Sequence, residues 1–290
     1  MHGIDKRRVA ADFDAVARHY EQQAVLQRTV AERLVERLDV VSMEPEDIID
    51  IGSGSGLAGR LLAAKYRRAR ILQLDLSRQM LIVSRRRSPR FFSRQRFVCG
   101  DADKLPVKDA TIDLAFSSLT LQWCNNLDQC LAEVNRVLRP GGLFMFTTLG
   151  PDTLKELRES WASVDDGIHV NTFFDMHDIG DALVRAGMVD VVMDVETLTM
   201  TYAGVMEVMR ELKALGAQNA NYNRPRGLTG KGKLQQVIAA YEKHRQCDGR
   251  LPATYEIVAG HAWKTGAVVA SRVEATTTYV PIASIQKKHR

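Results

Sequence analysis

The sequence predicts an α/β fold, a doubly wound sheet of mainly parallel strands with helices on both faces. Three observations carry this prediction. Short, continuous apolar runs alternate with amphipathic stretches from residue 48 to 150. A glycine-rich turn follows the first run directly, and a Pro-Gly-Gly stop closes the last amphipathic stretch. Strands that are apolar throughout, separated by helices, are the mark of a parallel sheet covered on both faces.

The elements follow in order. Residues 5–41 read as helical, because Val9, Phe13, Val16 and Tyr20, then Leu26, Val30, Leu34 and Leu38, recur at helical spacing. IIDI (48–51), RILQLD (70–75), RFVC (96–99), IDLAFSS (112–118) and GLFMFTTL (142–149) are too short and too continuous for surface helices and read as buried strands. LAGRLLAAKY (57–66), RQMLIVSRRR (78–87) and LDQCLAEVNRVL (127–138) have helical spacing, and Arg139-Pro140-Gly141-Gly142 ends the third of them. An inserted segment then carries a helix, Thr153–Trp161, and a polar loop before the next helix at 176–186. VDVVMDVETLTMT (189–201) reads as a sixth strand and TYEIVAGHAWK (254–264) as the last. Between these two, residues 204–245 hold helical segments and the cationic loop RPRGLTGKGK. The expected organisation is a single domain over 1–264 with a C-terminal tail, 265–290.

Composition narrows the class. At 290 residues, 45% hydrophobic and 26% charged, the chain has the make-up of an ordinary globular protein. No apolar run approaches the roughly 20 residues of a membrane helix, and the basic start lacks the apolar stretch of a secretory signal, so a cytoplasmic protein is expected. Cys99, Cys124, Cys130 and Cys247 form no CxxC pair and have no histidine at metal-ligand spacing. Reduced, mostly buried thiols and no metal are therefore expected. The net charge of +5 is concentrated in Arg67, Arg68, Arg70, Arg78, Arg85, Arg86, Arg87, Arg90, Arg94 and Arg96. Such a stretch is either a solvated face or a surface for an anionic partner. Phe91 and Phe92 are the only local candidates for a base-stacking platform, too few to make one, so nucleic acid is not the expected partner.

The glycine turn Gly52-Ser53-Gly54-Ser55-Gly56 lies where open parallel sheets bind ligands, beyond the carboxyl end of the first strand. Gly54, Gly56 and Gly59 imitate a dinucleotide fingerprint, with Asp75 about where a ribose-binding acid would stand. Gly59, however, falls inside the following helix, and the later segments suit S-adenosylmethionine. Asp75 closes the second strand, where a carboxylate can accept from both ribose hydroxyls. Met80, in the next turn, can cover an adenosine face. Asp101, after the third strand, can accept from the adenine amino group. Ser117 and Leu119 end the fourth strand beside the methionine portion, and Asp50 lies under the glycine turn, where it can hold the turn's N–H groups or an ammonium. A lone aspartate in such places is most often a cap or a loop residue; the succession of acids at successive strand ends carries the assignment. Gln27, Leu76 and Ala102 complete the expected cofactor set with Gly52, Gly54 and Gly56.

The DxGxGxG loop, the acid ending strand two, the GDAxxLP segment and the LRPGG turn resemble class I S-adenosylmethionine-dependent methyltransferases. That resemblance implies a seven-stranded Rossmann-like sheet with its last strand antiparallel and helical lid insertions. AADFDAVARHYEQQAVLQ, LQWCNNL, TLGPDTLKELRESW, HVNTFFDMHDIGDALVRAGM, RGLTGKGK and LPATYEIVAGHAWK, among others between residues 8 and 264, further resemble the malonyl-acyl-carrier-protein O-methyltransferases of biotin synthesis. The resemblance implies methylation of the free carboxylate of malonyl-acyl carrier protein, with S-adenosylhomocysteine as the second product. Residues 5–41 become a lid, and 151–175 and 203–250 the acceptor side. It makes Tyr20 the active-site tyrosine, with Phe13 behind it.

A carboxylate acceptor is already ionised at neutral pH and needs no general base, so alignment and exclusion of water carry the catalysis. Arg158 is the first choice to grip that carboxylate and His169 the second, with Phe173 or Phe174 along the acceptor channel. An acidic carrier protein requires a basic face, either the arginines of 85–96 or the loop with Arg224, Arg226, Lys231 and Lys233. Two other readings share the fold: a protein arginine hydroxylase related to a complex I assembly factor, similar in its GDTLxELR-like and VPATYxIY-like segments, and a small-molecule or RNA methyltransferase. The HAWK ending and the GLTGKGK loop favour the carboxyl methyltransferase.

Overall fold

The computed structural model describes residues 3–89, 93–225, 227 and 229–266. Arg90, Phe91, Phe92, Arg226 and the tail from 267 onward, including YVPIASI, lie outside the described residues. Three helices open the chain: α1 (Lys6–Val16), α2 (Tyr20–Gln23) and α3 (Val25–Glu36). The core follows as β1 (Asp47–Ile51), α4 (Leu57–Lys65), β2 (Arg70–Asp75), α5 (Arg78–Arg87), β3 (Gln95–Cys99), β4 (Ile112–Ser118), α6 (Leu127–Val137) and β5 (Leu138–Leu149). Beyond it come α7 (Lys155–Ala162), α8 (Met176–Arg185), β6 (Met188–Tyr202), α9 (Val205–Ala214), α10 (Lys231–Tyr241) and β7 (Leu251–Lys264).

The seven strands lie in the order β3-β2-β1-β4-β5-β7-β6. β1 to β5 pair in parallel, and β7 runs antiparallel to both β5 and β6, as the resemblance implied. The strand order reverses between β1 and β4, which places a ligand site beyond the carboxyl ends of those strands. One face of the sheet packs α6 and α8 through Leu131, Val134, Phe146, Ile179 and Leu183. The other packs α3 and α4 through Leu34, Leu62, Phe116 and Met145. A third cluster, with Leu26, Leu157, Val208, Tyr241 and Tyr255, caps the far ends of β6 and β7.

Two local outcomes differ from the sequence prediction. β5 starts at Leu138, which pairs with Ile112, before the register slips and resumes at Leu143 opposite Leu114. The LRPGG turn is thus an irregularity within the strand, with Gly141 at φ +77°. α10 begins at Lys231, so Lys231 and Lys233 lie on a helical turn rather than in a loop.

The inserted helix α7 is tied to the sheet by a buried acid. Glu156 accepts from the Thr254 amide at 3.1 Å and also from the Thr254 hydroxyl, and it is 5% exposed. Removing the carboxylate strands a buried N–H, a loss of about 1–3 kcal/mol. Glu156→Ala is therefore expected to lower the urea midpoint by that amount; an unchanged midpoint would show that α7 is held by its apolar face alone.

Candidate active site

The site begins where β1 ends. The amides of Gly52 and Ser53 both donate to the Leu74 carbonyl, at 2.8 and 2.9 Å, and the Gly54 amide donates to Asp75 Oδ2 at 2.8 Å. Gly52 has φ +73° and packs against the Thr120 side chain, where a Cβ has no room. Gly54, at φ +53°, has nothing within 4 Å of its missing Cβ and opens to the cavity. Gly56, at φ +83°, caps α4 and packs on Ser84 and Gln73, away from the cavity. Gly59 lies in α4, pressed on the Gln73 side chain; its role is close packing of helix on strand, and the dinucleotide imitation ends there.

A large cavity opens above this turn. Asp50, Gly52, Gly54, Asp75, Leu76, Met80, Asp101, Ala102, Leu119, Gln27, Tyr20, Phe13 and Phe173 all line it. Asp75 takes the role proposed for Asp50 in holding the glycine turn, and its other oxygen accepts from the Ser77 amide at 2.7 Å. Asp50 accepts from the Gly59 backbone, while its Oδ2 is buried without a partner among the described residues, as are Gln27 Oε1 and Ser53 Oγ. Orphaned acceptors beside a glycine turn suit a ligand that brings donors, an ammonium above all. Leu119, at φ 53°, and Leu154, at φ 55°, border the cavity; such backbone costs about 1–3 kcal/mol each and is typical of functional sites.

The N-terminal helices form the remaining wall. Ile4 is clamped through both backbone groups by Asn125, at 2.6 and 3.0 Å. Lys6 forms ion pairs with Asp101 and Asp103. Asp101, which lines the cavity as expected of an adenine-side acid, therefore also has a cationic partner. Phe13 packs edge-on to Trp123 and Tyr20, at 5.6 and 6.3 Å between centroids. Burial, then the charges of Asp75 and Glu21, raise the Tyr20 hydroxyl well above its ordinary range, so it keeps its proton. Glu21 binds Ser55 and Arg60, at 2.6 and 2.8 Å, and pairs with Arg87, which fastens α2 to the glycine turn.

Five predicted residues do not reach this cavity. Ser117 turns into the sheet and donates to the Ile51 carbonyl at 3.2 Å, and Ser118 lines the cavity in its place. Gly56 packs beneath the turn. Arg158 is exposed, and its guanidinium donates to the carbonyls of Pro151 and Thr153, both at 2.6 Å. His169 stacks on Trp161 at 3.6 Å, donates or accepts with Asp165 at 2.7 Å, and lines a second cavity. Phe174 faces the main core instead of the channel.

Sequence reading missed Arg28, which lines the main cavity and spends one donor on the Glu21 carbonyl at 3.1 Å. Among the described residues it has no carboxylate partner within ion-pair distance. The only signal was its place beside Gln27. It also missed a thiol pair. Cys124 and Cys130 are buried with sulfurs 3.3 Å apart, and their ligand atoms and that of Asp103 lie within 4.8 Å of one another. Asp103 comes from a different loop, so spacing could not reveal this group. Cys99 and Cys247 are exposed, which corrects the expectation of mostly buried thiols.

A switch-point cavity with a glycine turn, two acids at successive strand ends and orphaned acceptors defines an S-adenosylmethionine-dependent methyltransferase, and residues 49–146 match the family described as "Methyltransferase domain". Solved structures with this fold include a methyltransferase from Thermotoga maritima (TM-score 0.53, 17% identity, covering 89% of this chain and 100% of that one). A phosphoethanolamine N-methyltransferase from Haemonchus contortus, bound to S-adenosyl-L-methionine, has the same fold (0.54, 16%, 87% and 57%). The chain belongs to the malonyl-[acyl-carrier protein] O-methyltransferase family. Relatives of that name from Laribacter hongkongensis (52% identity, 91% of each chain), Methylovorus sp. (51%, 92% of each) and Halorhodospira halophila (47%, 99% of this chain and 97% of that one) match it over nearly its whole length.

The two acids make the cavity pH-sensitive. Burial, then the charge of Asp75, pushes the Asp50 carboxyl up to about 7. Burial pushes Asp75 up to about 6, against the pull of the Ser77 and Gly54 amides. An unfolded aspartate loses its proton near pH ~4, so the folded, ligand-free chain loses stability as pH rises from there through about 7. A ligand ammonium favours the ionised acids, so affinity for S-adenosylhomocysteine is expected to rise across the same window with release of protons. Calorimetry in buffers of different ionisation enthalpy checks this; pH-independent binding without proton release, or an unaltered profile in Asp50→Asn, would overturn it.

Proposed function

We propose that the chain transfers the methyl group of S-adenosylmethionine to the free carboxylate of malonyl-acyl carrier protein, forming the methyl ester used early in biotin synthesis. The observation that carries this reading is the similarity of 47–52% to relatives bearing that name, over 91–99% of the chain and through the acceptor-side segments as well as the core. The helices of 5–41 serve as the lid, and 151–175 with 203–250 as the acceptor wall. No helix among the described residues is long and apolar enough to cross a membrane, in keeping with a cytoplasmic enzyme.

The cofactor, when bound, supplies an electrophilic methyl group on a sulfonium. The residues of the chain position and enclose it. The orphaned oxygens of Asp50 and Gln27 are acceptors for an ammonium, and Asp75 retains lone pairs for ribose hydroxyls. Met80, 1% exposed and capped into α5 by Ser77, forms an apolar wall. Tyr20 and Phe13 close the lid side. The acceptor carboxylate is ionised at neutral pH, and the raised Tyr20 hydroxyl is a poor base, so no proton has to move. What remains is alignment and dryness. Arg28, exposed but lining the cavity, replaces Arg158 as the guanidinium available to a carboxylate there.

Incubating the protein with labelled S-adenosylmethionine and malonyl-carrier protein tests the reading. A base-labile methyl ester on the carrier protein is expected; transfer to RNA or to no acceptor would overturn it. Tyr20→Ala is expected to lose turnover far more than cofactor binding, whereas Asp75→Ala loses both. A charged hydrogen bond is worth about 1.5–3 kcal/mol, so Arg28→Ala should cut kcat/KM by roughly ten- to a hundredfold. Arg158→Ala should leave it within about threefold, and the reverse ranking would restore Arg158 as the carboxylate ligand.

A further inference from the structure

A second cavity adjoins the main one as a side branch, and cations outside both basic stretches of the sequence stand beside it. Leu154, Asn171, Phe173, Leu212 and Ala217 wall both the main cavity and the second one, so the branch leaves from the acceptor end, away from Asp75 and Asp101. Its further walls are apolar at Trp161 and Met209, and polar at His169, Gln218 and Asn219, with Lys213 among them. Asn171 and Asn219 are fixed by backbone bonds to Ala220, Ile168 and Asn221. Gln218 makes no hydrogen bond among the described residues.

Two cations without carboxylate partners among the described residues stand on α9 beside this branch. Lys213 is exposed, and Arg210, one turn earlier on the same face of α9, is exposed as well. Neither has a carboxylate within ion-pair distance among the described residues. The acids of that helix are engaged elsewhere, Glu207 by the Ala203 amide and Glu211 by the Tyr202 hydroxyl, both at 3.0 Å. Lys233 reaches the same area by binding Asp165, the partner of His169, at 3.0 Å. The arginines of α5 lie by contrast at the β3 edge, where α5 packs on β2, β3 and α1. A chain entering there would have to cross the cofactor site to reach the acceptor end.

We infer that the side branch beside His169 admits the pantetheine arm of an acyl carrier protein, and that Arg210 and Lys213 on α9 receive its acidic surface. The inference rests on the proposed reaction. An arm of alternating amides and methylenes suits apolar walls interrupted by amide side chains, and an acidic partner suits unpaired cations around the opening. Lys213 lines the branch but not the main cavity and Arg210 lines neither, so both act on docking rather than on the methyl transfer.

The test compares two substrates, malonyl-carrier protein and malonyl-pantetheine. Arg210→Glu combined with Lys213→Glu is expected to raise KM for the carrier protein at least about tenfold, and to weaken its salt dependence. In Arg210→Glu alone, KM and kcat for malonyl-pantetheine should stay within about twofold, because only Lys213 of the pair also lines the branch. Arg85→Glu combined with Arg86→Glu should change neither. If the α5 pair raises the carrier-protein KM and the α9 pair does not, the inference falls. It falls equally if Arg210→Glu alone impairs both substrates alike. If the unaltered protein methylates neither thioester, the proposed reaction itself is what has failed. Met209→Trp, which narrows the branch alone, is expected to raise KM for malonyl-pantetheine while S-adenosylhomocysteine still binds as before; an unchanged KM would place the arm elsewhere.

Discussion

The glycine turn hangs from the end of the neighbouring strand, and the cavity exists because of that attachment. Gly52 and Ser53 donate to the Leu74 carbonyl and Gly54 to the Asp75 carboxylate, so the turn depends on the β1–β2 register that sets Ile51 opposite Leu74. A slip of one residue would carry Asp75 to the other face and release the turn. A buried polar network secures the register from below. Gln73 donates to Gln95 at 2.6 Å and accepts from Ser84, and Ser88 donates to Gln95 at 2.8 Å. These groups occupy the space next to Gly56 and Gly59 that a side chain would need. Polar groups in a buried strand are stabilising only when all are satisfied, and here they also fix where the ligand site lies.

The N-terminal helices depend on that same floor and reach across to the acceptor side. Residues 3–5 bond the loop after β4 through Asn125 and the 220–222 segment through Ala220 and Tyr222. Further along, Gly216, after α9, lies against Asp12, Phe13 and Val16. The lid is therefore wedged between core and insertion, with contacts to both at each end. Glu21 then binds it to the glycine turn through Ser55. Opening the cavity breaks polar contacts on two sides at once, so the lid is expected to move as a unit rather than fray from one end.

The legible part of this protein was its repetition. Strands buried on both faces announce themselves as apolar runs, and RILQLD, IDLAFSS and RQMLIVSRRR were bounded to the residue because turns and caps such as Ser77 stand at their ends. Asp75 and the glycine turn were legible for the same reason: their position is fixed by a strand end. What a side chain does depends on its direction, which spacing does not encode. Ser117 and Ser118 are adjacent, yet the alternation of a strand turns one into the sheet and the other to the cavity. Arg158 reads as a free guanidinium until the carbonyls of the Pro151–Thr153 turn are seen around it. Asp101 reads as a free acid until Lys6 arrives from 95 residues away. The Cys124, Cys130 and Asp103 group was invisible for that reason too.

The pairing of Lys6 with Asp101 has a consequence for how cofactor and lid are coupled. Asp101 and Asp103 stand on one loop, and Lys6 is the cation through which α1 is fastened to both. Burial opposes charge on Lys6, but the two acids outweigh it and raise its pKa, so the ammonium stays protonated. Its helix also carries Phe13, which packs on Trp123 and Tyr20. A cofactor that presents an amino group to Asp101 therefore adds a donor to an acid whose charge is already balanced, and does so only when α1 is in place. A ligand that bonded Asp101 in the proposed site would thus be coupled to the position of α1 through one ion pair, and by reciprocity in both directions.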